Sequence, residues 1–515
     1  MDRETDHVEA LTAEAQSGRL LGTRRGAVAS FKGIPFAAPP LGKLRWRLPE
    51  PAAPWAGLRA ATTFGPNCPQ APTQIESLMG MAVGEQSEDC LYLNIWTPAC
   101  DDARRPVMVW IHGGAFVLGA GSHGVYNGRR LAERDIVVVT INYRLGAFGF
   151  LALGPASNGD LPGSGAEGIA DQIFALDWVR RNIAQFGGDP ENVTIFGESA
   201  GGMSVSALLA SPPARGLFHK AIAQSGGAHI GHQAASSARV IDAFVKEMGL
   251  ERDEISKMLE MPYSALVAAQ ISLLAKTNTG RDTYELGTLP FQPTIDGAVL
   301  QTRPILPIRD GAAKGIPLLL GTTRDEWKLF SAANPGLRLM SQKAFCDRVE
   351  KVAGGALQTM LEAYDTGSAF ERFNAWMTDK AFAVPAARLA EAQARVASVF
   401  AYRFDWRSNI LGGLMGACHA LDIGFVFGTH NRRLAGAFFG TGVAADALAV
   451  DMMDTWAAFA RNGDPSTASS GPWPRYDSDA RATMIFGDGP PHVMGQPNER
   501  RLRSWDGIAE KWLGP

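Results

Sequence analysis

Short apolar segments separated by helical stretches place the strongest constraint on the fold of this chain of 515 residues. The clearest segment, Ile136–Ile141, is almost wholly β-branched, as in strands buried on both faces of a parallel sheet. From Gly168 to Phe186 apolar residues recur at helical spacing, and GGDPENV then leads into another apolar run, Val193–Phe196. Strand, helix and strand repeated in this way predict an α/β fold with a mainly parallel sheet.

The same patterns organise the rest of the chain. Further strands are predicted at Leu91–Trp96, Val107–Ile111, Lys220–Gln224, Pro317–Gly321 and Ser398–Phe404. Segments that are helical in propensity and poor in strand signals are predicted to be insertions packed over the sheet, at about 230–288, 338–396 and 429–462. About 150 residues per domain would suggest roughly three domains. Since no long linker and no repeat of fixed period interrupts the chain, we predict instead one domain over residues 1–515.

The composition excludes several function classes. Lys and Arg number 49 against 52 Asp and Glu, so the formal charge is −3 and offers no basic surface for nucleic acid or anionic lipid. No apolar run approaches the ~18 residues of a membrane span, and the N-terminus MDRETDHVEAL lacks the plan of a signal peptide. Five cysteines without CxxC spacing argue against a zinc site or a disulfide scaffold. We expect a cytoplasmic protein without nucleic-acid or membrane partners, and the sequence does not indicate its oligomeric state.

A candidate nucleophile lies in Gly197–Gly201, whose sequence GESAG fits the pattern G-x-S-x-G. An apolar strand precedes it and a helix rich in alanine and leucine, Ala200–Ala210, follows it, as a nucleophile elbow requires. The glycines allow a sharp turn that would expose the hydroxyl of Ser199. The helix would direct N–H groups and its positive end toward an oxyanion formed there.

A serine nucleophile requires a general base, which is itself oriented by an acid. In the chain order serine, acid, histidine, the candidates for the base are His419, His430 and His492. His419 is favoured because it lies in a glycine-bearing loop soon after the predicted strand at 398–404. The other two fit a surface position and a loop near the C-terminus equally well.

The orienting acid is expected where a central strand ends. Ligands and catalytic groups in open α/β sheets gather beyond the carboxyl ends of the strands. The predicted strand at 317–321 runs into the sequence TTRDE. Asp325 and Glu326 are therefore both candidates, and the spacing does not choose between them.

A second glycine-rich turn offers donors for an oxyanion. The predicted strand Val107–Ile111 leaves into His112, Gly113, Gly114 and Ala115, the position of an HGGG-like motif. Backbone N–H groups in such a turn can point at the developing negative charge of a tetrahedral intermediate. Because it accompanies GESAG, we interpret this turn as catalytic.

These motifs resemble the type-B carboxylesterase and cholinesterase family of the α/β-hydrolase superfamily, and most closely its bacterial para-nitrobenzyl-esterase-like members. The matching segments occur in order over about residues 30–500 and include FKGIPFAAPPLGKLRW, SEDCLYLNIWTP, WIHGGAF, NYRLGAFGF, GTTRDE and GACHALDIGFVFG. The resemblance implies an α/β-hydrolase fold. Helices would cover both faces of a large, mostly parallel sheet, and the helical insertions would form a cap over an active-site gorge.

The resemblance also assigns roles to residues. It implies a catalytic triad of Ser199 as nucleophile, Glu326 as acid and His419 as base. The oxyanion hole would be formed by the N–H groups of Gly114, Ala115 and Ala200. The supporting residues would be Gly113, which shapes the turn, Glu198, which favours the cationic form of the base, and Ser225, which hydrogen-bonds behind the triad.

Two further features follow from the resemblance. The family usually has glycine after the catalytic acid, whereas this chain has Trp327, whose ring would narrow the pocket or reorient the turn. The family's oxidised cysteine pair corresponds here to Cys68 and Cys90. Because no leader is evident, we expect this pair to be reduced in the cell.

The resulting hypothesis is a serine carboxylesterase that hydrolyses carboxylic esters of small or aromatic alcohols through an acyl-enzyme, without a metal or organic cofactor. A hydrolase of carbamates or activated amides on the same triad is the alternative. A non-catalytic cholinesterase-like interaction protein is disfavoured because nucleophile, acid and base are all present. The inserted helices are expected to supply the pocket walls, and individual candidates for the pocket are Met79, Met81, Phe116 and Phe330.

Overall fold

Strands and helices alternate along the described part of the chain. The computed structural model describes residues 8–72, 79, 81, 84–278, 286–332, 334–432 and 435–514. The strands are β1 (Val8–Ala15), β2 (Gly18–Arg25), β3 (Val28–Pro35), β4 (Leu58–Ala60), β5 (Tyr92–Thr97), β6 (Arg105–Ile111), β7 (Val137–Ile141), β8 (Gly188–Glu198), β9 (Lys220–Gln224), β10 (Leu318–Thr323), β11 (Val399–Phe404), β12 (Thr483–Gly487) and β13 (Gly489–Met494).

The α-helices are α1 (Arg129–Ala132), α2 (Gly146–Gly149), α3 (Leu153–Ala156), α4 (Glu167–Asn182), α5 (Ala200–Ala210), α6 (Ala234–Glu247), α7 (Tyr263–Asn278), α8 (Ile305–Arg309), α9 (Lys328–Ala332), α10 (Gln342–Ala353), α11 (Leu357–Ala363), α12 (Ala369–Thr378), α13 (Val384–Gln393), α14 (Ile423–Val426), α15 (Gly436–Phe439), α16 (Val443–Asn462) and α17 (Glu499–Arg503). A π-helical turn, Asp379–Ala383, joins α12 to α13. The 3₁₀ segments are Gly42–Leu44, Gly124–Tyr126, Ile183–Phe186, Pro212–Ala214, Arg252–Leu259, Pro335–Leu339, Gly354–Ala356, Ile410–Gly413 and Glu510–Trp512.

The strands of the described residues form one sheet in the order β1-β2-β3-β5-β7-β6-β8-β9-β10-β11-β12-β13, with β4 beside β2. The neighbours from β7 to β12 in this order are all parallel. Antiparallel strands lie on both flanks. In the centre of the sheet Gly197 pairs with Ile111 on one side and Ala223 on the other. The carboxyl ends of the central strands therefore meet at one edge, where catalytic groups of such sheets gather.

Helices pack on both faces of this sheet. Along β6, Val107, Val109 and Ile111 join one hydrophobic core, whereas Met108 and Trp110 join a second, because successive side chains of a strand point to opposite faces. Residues of α4 and α5 complete the first core, and residues of α14 and α16 complete the second. The prediction of an α/β-hydrolase fold with a large, mostly parallel sheet is confirmed.

The predicted insertions are helical where the structure describes them. The segment 230–288 contains α6 and α7, 338–396 contains α10 to α13, and 429–462 contains α15 and α16. Residues 279–285, 433 and 434 of these segments lie outside the described residues, as do residues 1–7 of the N-terminus. The long helix α16 lies against β6, β8, β12 and β13, so it forms part of a layer on the sheet. Across the described ranges, no helix combines the length and the apolar character needed to cross a membrane.

Candidate active site

The serine of GESAG lies at the tight turn between β8 and α5. Ser199 has φ of 57° and ψ of −123°, a backbone conformation that is strained for a residue with a side chain. The turn is held because the Ser199 N–H donates to the carbonyl of Gln224 at 2.9 Å and the Ser199 carbonyl accepts from Met203 N–H at 2.8 Å. A Cβ at Gly201 would lie 2.0 Å from the carbonyl oxygen of Ile111. Glycine is therefore required there for the helix to cross so close to β6.

The candidate acid follows the carboxyl end of β10. Glu326 is fully buried, and its Oε2 lies 2.6 Å from Nδ1 of His419. Its Oε1 accepts hydrogen bonds from the Ser225 hydroxyl at 2.6 Å and from the Thr323 N–H at 2.8 Å. With its carboxylate held by these donors, Glu326 fixes the ring orientation of His419 and places the proton on Nδ1.

The neighbouring carboxylate, Asp325, makes different contacts. Its Oδ2 accepts from the Ala417 N–H at 2.9 Å and its Oδ1 lies 2.9 Å from the Lys328 ammonium. Although burial opposes the shift, Lys328 and the N–H of Ala417 hold the pKa of Asp325 below its usual range. Asp325 thus anchors the loop that carries His419, and of the two adjacent carboxylates it is Glu326 that contacts the imidazole.

The other two candidate histidines lie away from this turn. Nε2 of His430 is 2.9 Å from Oδ1 of Asp446, on α16. His492 lies in β13, at the flank of the sheet, where its Nδ1 is 3.3 Å from the carbonyl oxygen of Pro490. The structure therefore brings His419 to the predicted acid and leaves His430 and His492 elsewhere.

The second ring nitrogen of His419 faces another carboxylate. Nε2 lies 3.1 Å from Oε1 of Glu198, which is 3 % exposed. Burial raises the pKa of Glu198 to about 8, against the opposing effect of the imidazole. Burial lowers the pKa of His419, but the charges of Glu198 and Glu326 and the hydrogen bond to Glu326 outweigh it and raise the pKa to about 9. The two groups titrate together, because a proton on either one changes the charge that the other faces.

A third buried carboxylate, Asp422, lies close enough to act on this pair. Its Oδ2 accepts from Gln224 Nε2 at 2.9 Å and from the Tyr402 hydroxyl at 2.8 Å. Burial raises the pKa of Asp422 itself, and its charge adds to those that raise the pKa of both Glu198 and His419. Sequence reasoning missed this residue, although the segment HALD places it three positions after His419.

The glycine-rich turn after β6 lies against the elbow. A Cβ at Gly113 would be 2.6 Å from the carbonyl oxygen of Glu198, so only glycine allows this approach. The next residues are left-handed, with φ of 113° at Gly114 and 54° at Ala115. In the part of the chain that the structure describes, the N–H groups of Gly114, Ala115 and Ala200 have no protein acceptor. They are therefore open to bind a ligand oxygen.

Ser199, His419 and the turn formed by Gly113, Gly114 and Ala115 border one cavity of about 210 Å³. The lining residues are Met79, Met81, Gly113, Gly114, Ala115, Leu118, Gly119, His123, Tyr126, Glu198, Ser199, Leu329, Phe330, His419, Ala420 and Ile423. Most of them are apolar, as in small-molecule sites with a few oriented polar groups.

The expected pocket residues are confirmed in part. Met79, Met81 and Phe330 line the cavity. Phe116 does not, because its ring is fully buried against Phe150 at 5.1 Å between centroids. Among the described residues, none that lines this cavity comes from the inserted segments. For these residues, the prediction that the inserted helices supply the pocket walls is wrong. The walls come instead from the loops and short helices that follow the central strands, and from Met79 and Met81 in the segment before β5.

Trp327 occupies the position where the family usually has glycine. Its backbone N–H donates to the Thr378 hydroxyl at 3.1 Å. The centroid of its ring lies 4.9 Å from that of Phe330 and 6.5 Å from that of Phe382. Glu326 nevertheless contacts His419, so the bulky residue does not turn the acid away from the imidazole.

Cys68 and Cys90 lie side by side as free thiols. Their mutual hydrogen bond and burial raise the pKa of Cys90 well above its ordinary value. The Cys68 sulfur also accepts from the N–H of Leu145 at 3.3 Å. That this pair is reduced in the cell stays a prediction.

Known proteins of similar sequence identify the family of this chain. The sequence model of the Carboxylesterase family matches residues 9–505. The chain belongs to the carboxylesterase family. This carboxylesterase is 42 % identical over 478 residues to a para-nitrobenzyl esterase of Bacillus subtilis (strain 168), covering 92 % of this chain and 94 % of that protein. It is 36 % identical to a cocaine esterase of Homo sapiens, over 95 % and 90 % of the two chains.

The solved structures show the same likeness. A carboxylesterase of Geobacillus stearothermophilus superposes with a TM-score of 0.86 at 38 % identity, covering 96 % of this carboxylesterase and 99 % of that chain. A para-nitrobenzyl esterase structure gives a TM-score of 0.83 at 37 % identity, with the same coverage. This carboxylesterase is accordingly a carboxylic-ester hydrolase that acts on small-molecule esters.

Proposed function

We propose that this carboxylesterase hydrolyses esters of small and aromatic alcohols through an acyl-enzyme on Ser199. The observation that carries the proposal is the contact of 2.6 Å between Glu326 and His419, because His419 lines a cavity that is also lined by Ser199 and by the turn at Gly114 and Ala115. The similarity to a para-nitrobenzyl esterase supports an aromatic alcohol.

In the acylation step His419 acts as the general base. The active form has Nε2 unprotonated, so that Nε2 is free to accept the proton of the Ser199 hydroxyl as the serine oxygen attacks the ester carbonyl. Glu326 holds the ring by Nδ1 and stabilises the imidazolium that forms. Nε2 then gives its proton to the leaving alcohol.

The backbone stabilises the charge that develops on the carbonyl oxygen. The donors are the N–H groups of Gly114, Ala115 and Ala200, and Ala200 adds the positive end of α5. In the second half-reaction His419 removes a proton from water as the water oxygen attacks the acyl carbon. It then gives that proton to the Ser199 oxygen as the bond from Ser199 to the acyl group breaks and the acid is released. Each proton transfer uses a group of the chain itself.

The first test replaces Ser199 by alanine. Hydrolysis of p-nitrophenyl acetate should fall by at least about 10⁴-fold, because no nucleophile remains. The matched control is Ser206→Ala, which removes a buried hydroxyl from the same helix at some distance from the cavity. Circular dichroism should show both variants folded. Substantial hydrolysis by folded Ser199→Ala would contradict the assignment.

A second test distinguishes the enzyme from a non-catalytic protein of the same fold. An organophosphonate should label the wild-type chain with one equivalent and leave Ser199→Ala unlabelled, as measured by intact-protein mass spectrometry. Absence of labelling in the wild type would favour the non-catalytic alternative.

A further inference from the structure

The ring of Trp327 lies at a junction between two hydrophobic cores. It is partly buried and packs against the main core as well as the separate core formed by α10 to α12 and Trp505. Its backbone is fixed by the hydrogen bond to Thr378, at the end of α12. Trp327 therefore occupies a rigid position directly after Glu326.

Trp327 does not line the cavity, but Phe330 does. The Phe330 ring packs against Trp327 at 4.9 Å, against Phe382 at 6.1 Å and against His419 at 5.1 Å between centroids. The rings of Phe330 and Phe382 are nearly parallel, with an interplanar angle of 8°. Phe330 is thus held between other rings and the cavity.

Packing leaves Phe330 little freedom to withdraw. Protein interiors are close-packed, so a side chain moves only where neighbours leave space. Phe382 is almost fully buried on the π-helical turn and does not offer that space. A smaller residue at position 327, such as the glycine usual in the family, would leave room behind the ring of Phe330.

We propose that Trp327 determines substrate specificity by holding Phe330 against the cavity at Ser199, which limits the bulk of the ester that can bind. The inference rests on the proposed function. Trp327 is a positioning residue, since it acts on the substrate through Phe330.

The test compares kcat/KM between small and bulky substrates in two series. One series lengthens the acyl group, from p-nitrophenyl acetate to p-nitrophenyl octanoate. The other enlarges the alcohol, from phenyl acetate to 1-naphthyl acetate. In Trp327→Ala the ratio of kcat/KM for the bulky substrate to kcat/KM for the small substrate should rise about 10-fold or more in at least one series. Extra room in an apolar pocket has effects of this size. Because a ratio does not depend on the active fraction, reduced stability alone would leave it unchanged.

Two further variants keep the test decisive. Trp327→Phe retains a ring behind Phe330 and should keep a ratio near that of the wild type. Phe330→Ala should raise the same ratio, because it removes the ring that borders the cavity. The double variant Trp327→Ala/Phe330→Ala should have nearly the same ratio as Phe330→Ala, because Trp327 acts on the substrate only through Phe330. Should Trp327→Ala fail to fold, Trp327→Leu provides the intermediate case.

The outcomes separate this inference from the proposed function. An active wild type whose ratios are unchanged by Trp327→Ala and Trp327→Leu would overturn the role of Trp327 and leave the esterase assignment intact. Full additivity in the double variant would also overturn it. A wild type without esterase activity would instead contradict the proposed function.

Discussion

His419 sets the pH dependence of the site because its two ring nitrogens face two carboxylates. Below its pKa the ring is cationic and unable to accept the serine proton, so kcat/KM falls on the acid side. Glu198 is the largest of the charges that raise this pKa.

Glu198→Gln should therefore shift the acid limb of the pH profile to lower pH. The neutral amide removes the nearby negative charge, so the pKa of His419 falls, by about 1 unit or more for an adjacent charge. The measurement is kcat/KM for p-nitrophenyl acetate against pH, with the wild type alongside. An acid limb that stays in place, or that moves to higher pH, would show that the carboxylate does not control the imidazole.

Individual residues differ in how far the sequence predicts them. Ser199 follows from its pattern between a strand and a helix. Asp325 and Glu326 are adjacent on the same turn, and the choice depends on which side chain points inward, which three-dimensional contacts decide. The network around Asp422 was missed because a buried carboxylate outside a motif has no distinct signal in one sequence.

At the level of elements, the crossing of α5 over β6 is the tightest contact of the site. Gly201→Ala would place a methyl group 2.0 Å from the carbonyl oxygen of Ile111, so the helix must move away from the sheet. We expect the free energy of unfolding to fall by about 1–3 kcal/mol, with loss of most esterase activity because Ser199 moves with the helix.

Thermal unfolding and p-nitrophenyl acetate hydrolysis measure both effects. Gly355→Ala is the matched control, since a Cβ there meets nothing within 4 Å. Wild-type stability and activity in Gly201→Ala would show that the crossing is looser than the structure indicates.

The central strands were predictable because they are continuous apolar runs; Lys220–Gln224, for example, is observed with the predicted bounds. Of the flanking strands, β5 was predicted at Leu91–Trp96, whereas β1 to β4, β12 and β13 were not. β1 has its apolar residues interrupted by Glu9, Thr12 and Glu14 and is largely exposed, and β4 has only three residues. A strand with one face in water gives no continuous apolar run, so its sequence resembles that of a loop.

At the level of the whole molecule, Arg45 joins segments far apart in the chain. Its side chain is 8 % exposed and forms two hydrogen bonds with Glu88, at 2.6 and 2.5 Å. It also donates to the carbonyl oxygens of Met258 and Met261, at 2.9 and 2.8 Å. One buried guanidinium thus fastens the N-terminal part of the chain to the insertion at 230–288.

Arg45→Met should lower the free energy of unfolding by about 3–5 kcal/mol, because it leaves Glu88 as an unpaired buried charge. Urea denaturation followed by tryptophan fluorescence and by activity measures the loss. The control, Arg500→Met, removes an exposed ion pair with Asp365 and should cost at most about 1 kcal/mol. Equal effects of the two substitutions would contradict this role of Arg45.

The same curves test the prediction that residues 1–515 form one domain. One domain should unfold in a single transition in which fluorescence and activity coincide. An earlier, separate transition in Arg45→Met would instead show that the insertion unfolds by itself.

The order of the strands has a consequence for how the enzyme regains activity after denaturation. β10 joins the sheet beside β9, although about a hundred residues separate them, and β11 joins beside β10. Pairing of such distant segments is slow compared with helix formation. On dilution from urea, the helical circular-dichroism signal should therefore return before turnover, since the imidazole and its carboxylate meet only after the last parallel strands have docked.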